Sequence, residues 1–167
     1  DLVNIKLVGS AGQSLGAFLT KGIKLLVERV NILGNTVTEE SVIRSELLLD
    51  EGDPYNKLKL EKSIAQIKSR NLFSKVEKNI ISGSSKDQRI IDISVEEKPT
   101  GELSAGAGIG TSGGSLQFAI TENNWLGRGI YTSASVELSD TAFRGNLNVT
   151  DPNFNYSGNS LNYYLSN

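Results

Sequence analysis

The chain has 167 residues, 38% of them hydrophobic, with 17 Lys plus Arg against 19 Asp plus Glu and a net charge of -2. That length fits one domain or two small ones, and the near-neutral balance argues against a general nucleic-acid binder. With no Cys and no His, zinc sites built on those ligands, thiol catalysis, disulfides and Ser-His or Cys-His nucleophile pairs are excluded.

Along the chain, Val27–Leu33 alternates apolar and polar residues and is followed by Gly34-Asn35, which predicts a strand and a turn. Thr38 before Glu39 and Glu40 reads as a helix N-cap with acids in the first turn, and Val42, Ile43 and Leu47 continue an apolar stripe to about Leu48. After the Asp53-Pro54 turn, Asn56 is a second cap. Leu60, Ile64 and Ile67 then recur at helical spacing as far as Asn71, a residue suited to a left-handed C-terminal position. Val76–Ser82 and Arg89–Lys98 are two further strands around a Gly83–Asp87 hairpin loop. The order β-α-α-β-β predicts two helices on one face of a small sheet, with the other face wet.

Charge density changes abruptly at Pro99. There are 25 charged residues among the 72 from Val27 to Lys98 and 7 among the 69 from Pro99 to Asn167, and 10 of the 17 glycines lie in the second stretch. Beyond the boundary the hydrophobic period becomes two. Leu103–Ile109, Leu116–Thr121, Ile130–Ser139, Asn146–Thr150 and Leu161–Ser166 each alternate an apolar with a small or polar face. The longest uncharged stretch, Leu103–Thr121, contains five glycines and is no transmembrane helix, so a membrane-spanning role has to be a β one. A soluble β-sandwich and a membrane barrel share this alternation. The nearly uncharged, Gly-rich polar face and a longest segment approaching the roughly 9–11 residues of a tilted spanning strand lean toward the barrel.

Three motifs are weighed against plainer readings. Gly108–Gly113 spells G-x-G-x-x-G, but a dinucleotide site needs a helix next and Leu116–Thr121 has strand periodicity, so the glycines read as a tight hairpin with small inward positions. Glu96 and Glu97 are adjacent on a strand and point to opposite faces, which reads as a solvated strand end and not an acid-base pair. Trp125, the lone tryptophan, closes a strand beside Asn123, Asn124 and Gly127, and reads as an interfacial anchor in preference to a core wedge.

Four runs, Val27–Thr36, Val42–Leu47, Glu51–Asn56 and Asn71–Val76, together resemble the last POTRA domain of a BamA-type outer-membrane protein assembly factor. Val95–Gly101 resembles that family's junction into its barrel, Gly106–Gly108 through Asn123–Gly129 its first barrel hairpin, and Asp151-Pro152-Asn153-Phe154 its later DP-aromatic segment. The resemblance implies an α+β POTRA domain at 27–98, followed at 99–167 by the first antiparallel strands of a transmembrane β-barrel, truncated relative to the family's sixteen. Residues 1–26 are unassigned; Leu2–Val8 has the place of a preceding POTRA domain's last strand, and Gly9–Lys24 fits no pattern. An open five-stranded sheet leaves edge amides unpaired, at roughly several kcal/mol each in lipid, and is expected not to close or insert alone.

Function follows from the resemblance as an expectation. It implies a non-enzymatic factor of the bacterial outer membrane, with the POTRA part in the periplasm, that binds unfolded outer-membrane protein clients by β-augmentation and inserts them. The expected partners are clients, accessory lipoproteins and the lipid bilayer, without nucleic acid, metal or other cofactor. Leu103, Ala105, Gly106, Ala107, Gly108 and Ile109 are the candidate gate strand, weakened by glycines that remove side-chain pairs. The POTRA edge used by clients is left open, since Lys75, Glu77 and Lys78 also read as charges that blunt an edge against aggregation. A translocation pore of a two-partner secretion or autotransporter-assembly relative is the alternative, and a soluble β-rich binding module the second.

Overall fold

The computed structural model describes residues 25–111 and 113–167. The readings of residues 1–24 lie outside the described residues. The charged half forms β1(Leu26–Leu33), α1(Glu40–Arg44), α2(Lys57–Ser69), β2(Phe73–Ser82) and β3(Gln88–Glu97), in the expected β-α-α-β-β order. Its sheet runs β1-β3-β2, with β1 parallel and β2 antiparallel to β3. Parallel neighbours require a long crossover, which here contains both helices and the β2 strand.

Helix α2 begins where Asn56 Oδ1 accepts the Lys59 N–H at 3.1 Å, and the chain leaves it through Asn71 at φ 58°. Both ends follow from the sequence, because a side-chain acceptor satisfies an orphan amide at the start and Asn tolerates the left-handed conformation at the end. Leu60, Ile64 and Ile67 are buried, with Val27, Val30, Ile91, Ile93 and Val95 from the sheet in the same core.

Helix α1 differs from expectation. Regular helix covers only Glu40–Arg44, its N-cap position is Glu39 without a side-chain cap, and Thr38 is buried and bonded elsewhere. Past Arg44 the chain turns onto α2, where the Leu48 N–H bonds Ser63 Oγ at 2.8 Å and Leu49 enters the core. Tertiary burial wins over continuation of a short helical ladder. Strand β2 also starts earlier than the periodicity implies, at Phe73, which is buried and pairs with Glu97.

The second half is a five-stranded antiparallel meander of β4(Gly101–Gly110), β5(Gly113–Trp125), β6(Ile130–Ser139), β7(Phe143–Asp151) and β8(Leu161–Ser166), in chain order. Register aligns its apolar residues across strands, with Ala105 opposite Phe118, Phe118 opposite Val136, Ala134 opposite Leu147, and Leu147 opposite Leu165. The result is one continuous apolar face. Gly110 and Gly113 pair to close the first hairpin, and β5 follows as a strand, so the G-x-G-x-x-G run lacks the helix a pyrophosphate would need.

Candidate functional site

The site with the most specific geometry is the joint between the two sheets. Strand β3 ends at Glu97 and β4 begins at Gly101, which puts the β1–α1 loop of the first sheet against the β5–β6 turn of the second. Glu97 organises the loop from within its own domain. Its carboxylate accepts the backbone N–H groups of Thr36 (3.0 Å), Val37 (3.0 Å) and Thr38 (2.6 Å) and the Thr36 hydroxyl (2.6 Å). Burial pushes this carboxyl up, but the bonds from Thr36, Thr38 and Val37 outweigh it and hold the group at about 2. Glu97 is therefore no solvated strand end: the sequence reading is corrected here, because its partners lie about 60 residues away in the chain. Glu96 is exposed on the opposite face, as adjacent strand residues require.

The loop so fixed meets the turn Leu126–Gly129. Asn124, itself buried, donates from Nδ2 to Thr38 Oγ1 at 2.9 Å and accepts the Gly129 N–H on Oδ1 at 2.7 Å. The Glu39 N–H bonds the Gly127 carbonyl at 2.8 Å. Gly127 sits at φ 76°, and a Cβ there would lie 2.1 Å from the Val37 carbonyl, so the loop and the turn are in backbone contact that only glycine permits. On the other side Arg70, at the end of α2, donates to the Gly129 carbonyl at 2.9 Å and pairs with Glu46 at 3.7 Å. The sequence assigns no role at the joint to Asn124 or Arg70 and reads Thr38 as a helix N-cap, whereas its hydroxyl accepts from Asn124.

The candidate gate residues Leu103, Ala105, Gly106, Ala107, Gly108 and Ile109 all lie on β4, which has β5 on one side and no partner on the other among the described residues. A Cβ at Gly106 or Gly110 would meet nothing within 4 Å, so these positions lack the cross-strand packing that side chains would supply. Trp125 is the last residue of β5, opposite Ile130, half-exposed and next in the chain to Asn124 of the joint.

The two edges of the three-stranded sheet are unequal. Along β1 the segment 51–55 occupies the edge: the Val27 N–H bonds the Asp53 carbonyl at 2.8 Å, Gly52 N–H the Val27 carbonyl at 2.7 Å, and Tyr55 N–H the Leu25 carbonyl at 2.7 Å. Glu51 accepts the Val30 N–H at 3.1 Å and Arg44 donates to the Val30 carbonyl at 2.9 Å. The outer edge of β2 has no strand partner among the described residues. It carries a Lys75–Glu77 ion pair at 3.0 Å, and Lys78 bonds Glu61 of α2, which lowers the Glu61 carboxyl.

Similarity to known proteins falls on the same architecture. The POTRA family model, described as a surface antigen variable number repeat, matches residues 25–98. The outer membrane protein assembly factor BamA of Neisseria meningitidis is 30% identical over 144 residues, which is 85% of this chain and 18% of that protein. The crystal structure of BamA from Haemophilus ducreyi lacking POTRA domains 1–3 superposes with a TM-score of 0.73 at 26% identity, covering 85% of this chain and 27% of that one. The chain is a POTRA domain joined to the first strands of a BamA-type barrel. It spans less than a fifth of the Neisseria BamA. CdiB from Escherichia coli, at TM-score 0.53 and 16% identity over 77% of the chain and 25% of that protein, shares the fold alone. In the BamA-type chain the joint is thus the passage from POTRA to barrel, and β4 is the first barrel strand.

Proposed function

We propose that the chain is the part of an outer-membrane protein assembly factor that hands extended client segments from the periplasm to the barrel seam. The POTRA half lies in the periplasm and the meander in the outer membrane. One observation carries the reading: a single chain passes within three residues from a charged domain that closes its own core to a meander whose apolar face has no cover, and whose Gly-rich first strand has one edge without a partner, among the described residues. Strands of 9 to 13 residues in β4 to β7 match a tilted crossing of the bilayer.

In this mechanism an unfolded client adds as a strand to the outer edge of β2, the POTRA edge that segment 51–55 leaves open. It then pairs with β4, where Gly106, Gly108 and Gly110 weaken pairing to the barrel's closing strand and let a client strand replace it. Free energy comes from the client, whose amides pair and whose apolar face enters lipid, so no enzyme chemistry, nucleotide, metal or other cofactor is invoked. Accessory lipoproteins and the bilayer are the remaining partners.

The test is assembly by the full-length protein in liposomes, with a cysteine pair locking β4 to the closing strand. Oxidation is expected to stop client insertion and reduction to restore it; undiminished insertion by the locked protein removes the gate role. CdiB shares the fold, which keeps a translocation pore as a second reading. A pore releases its partner across the membrane and leaves no inserted barrel, so the same liposomes distinguish the two.

A further inference from the structure

The POTRA loop at the joint has a composition at odds with its domain. In a half with 25 charges among 72 residues, the longest uncharged run is Val30–Thr38, and it holds two large exposed apolar side chains, Leu33 at 51% and Val37 at 68%. Across the joint, residues 123–127 are also uncharged and expose Trp125 at 48% and Leu126 at 76%. The two stretches are adjacent in space: the Val37 carbonyl packs on Gly127, the Glu39 N–H bonds the Gly127 carbonyl, and Asn124 holds Thr38. Glu97 pins the backbone of 36–38, so Val37 is presented on a fixed platform.

Continuity identifies what covers this patch. Leu103, Ile120, Trp125 and Leu126 line one groove, and Leu103 faces Ile120 across the β4–β5 ladder on the sheet's apolar face. The groove, which Glu102 and Glu122 also line, runs from the lipid-facing band past the Glu122 carboxylate, which accepts the Asn124 N–H at 2.7 Å, to Trp125 and Leu126 beside the loop. The described chain enters the POTRA sheet at the opposite end, where Leu26 pairs with Gln88 beside the 83–87 hairpin. We infer that the β1–α1 loop of the POTRA domain, through Leu33 and Val37, rests in the lipid headgroup layer beside Trp125 and Leu126. The domain is thereby held to the periplasmic leaflet as well as to the barrel. Apolar and aromatic side chains at the end of a spanning segment are stabilised in that layer, and a rigid loop adds to it with little further ordering.

This inference rests on the membrane-barrel reading, and the test separates the two. The full-length protein, carrying one cysteine at a time in a background without others, is labelled with an environment-sensitive fluorophore. It is placed in phosphatidylethanolamine–phosphatidylglycerol vesicles containing lipids brominated near the headgroup or deep in the chain. Labels on Val37→Cys and Leu126→Cys are expected to be quenched by shallow bromines, Phe118→Cys by deep ones, and Ser85→Cys by neither. Quenching at 118 without quenching at 37 overturns the inference and leaves the barrel intact. Loss of quenching at 118 removes the barrel reading itself. A label at 37 shielded from aqueous iodide yet untouched by brominated lipid means that protein covers the loop, which also overturns the inference.

Discussion

The POTRA half encloses fourteen buried hydrophobic side chains between two helices and a three-stranded sheet. The strand half, of similar length, encloses none among the described residues and leaves Leu116, Phe118, Ile120, Leu138, Phe143 and Tyr163 on its surface. Hydrophobic content does not separate them; the presence of a second layer does. A sheet with one apolar face needs something against that face, and helices α1 and α2 supply it in the first half. Nothing among the described residues supplies it in the second, where lipid is the natural complement of a band that is continuous across five strands.

The largest expected effect tests that contrast directly. Amide exchange of the chain in water should show strong protection across 27–98 and little across 103–165, and micelles should raise protection only in the second stretch. Equal protection of both in a water-soluble monomer would mean that the meander makes its own core, and would favour a soluble module. Next in size is a pair of truncations. Ile91→Ala, at a fully buried core position, should cost the POTRA half about 2–5 kcal/mol in urea unfolding, whereas Phe118→Ala should leave that transition unmoved.

Glu97 sharpens the comparison, since its charge fixes a loop of the POTRA half that faces the barrel. Removing the charge in Glu97→Gln weakens four donated bonds and should cost roughly 1.5–3 kcal/mol of POTRA stability. The carboxyl is lowered from 4.5 to about 2 in the fold, so its stabilisation is complete above pH 4.5 and is lost as pH falls toward 2. The gap between wild type and Glu97→Gln should therefore close over that window; a gap that is constant with pH would assign the loss to packing.

What could be read from sequence was local. Helix α2 was legible because Asn56, Leu60, Ile64, Ile67 and Asn71 signal start, face and stop within sixteen residues, and the five strands because side chains alternate with period two. The closing of the β1 edge by 51–55 was not, since apart from the Glu51 carboxylate those contacts are backbone ones and leave no side-chain signature. The joint was hidden for a related reason. Thr38 reads as an N-cap by its neighbours, and its true partner, Asn124, is 86 residues away. A buried polar pair across two domains has no periodicity to betray it.

The smallest expected effect belongs to that pair. Asn124→Ala removes one donor and one acceptor from a buried position and leaves Thr38 Oγ1 without its donor and the Gly129 N–H unpaired, at a cost of about 1–3 kcal/mol to docking. Neither half depends on this contact for its own core, so the unfolding of the POTRA domain should not change. What should change is orientation: spin labels at Ser85 and Ser139, far from the joint in either sheet, should give a broader distance distribution in the full-length variant than in wild type. An unchanged distribution would place the stiffness of the joint in the Glu39–Gly127 and Arg70–Gly129 contacts, which Asn124→Ala leaves in place. In that case Gly127→Ala, which drives a methyl into the Val37 carbonyl, is the substitution that should release it.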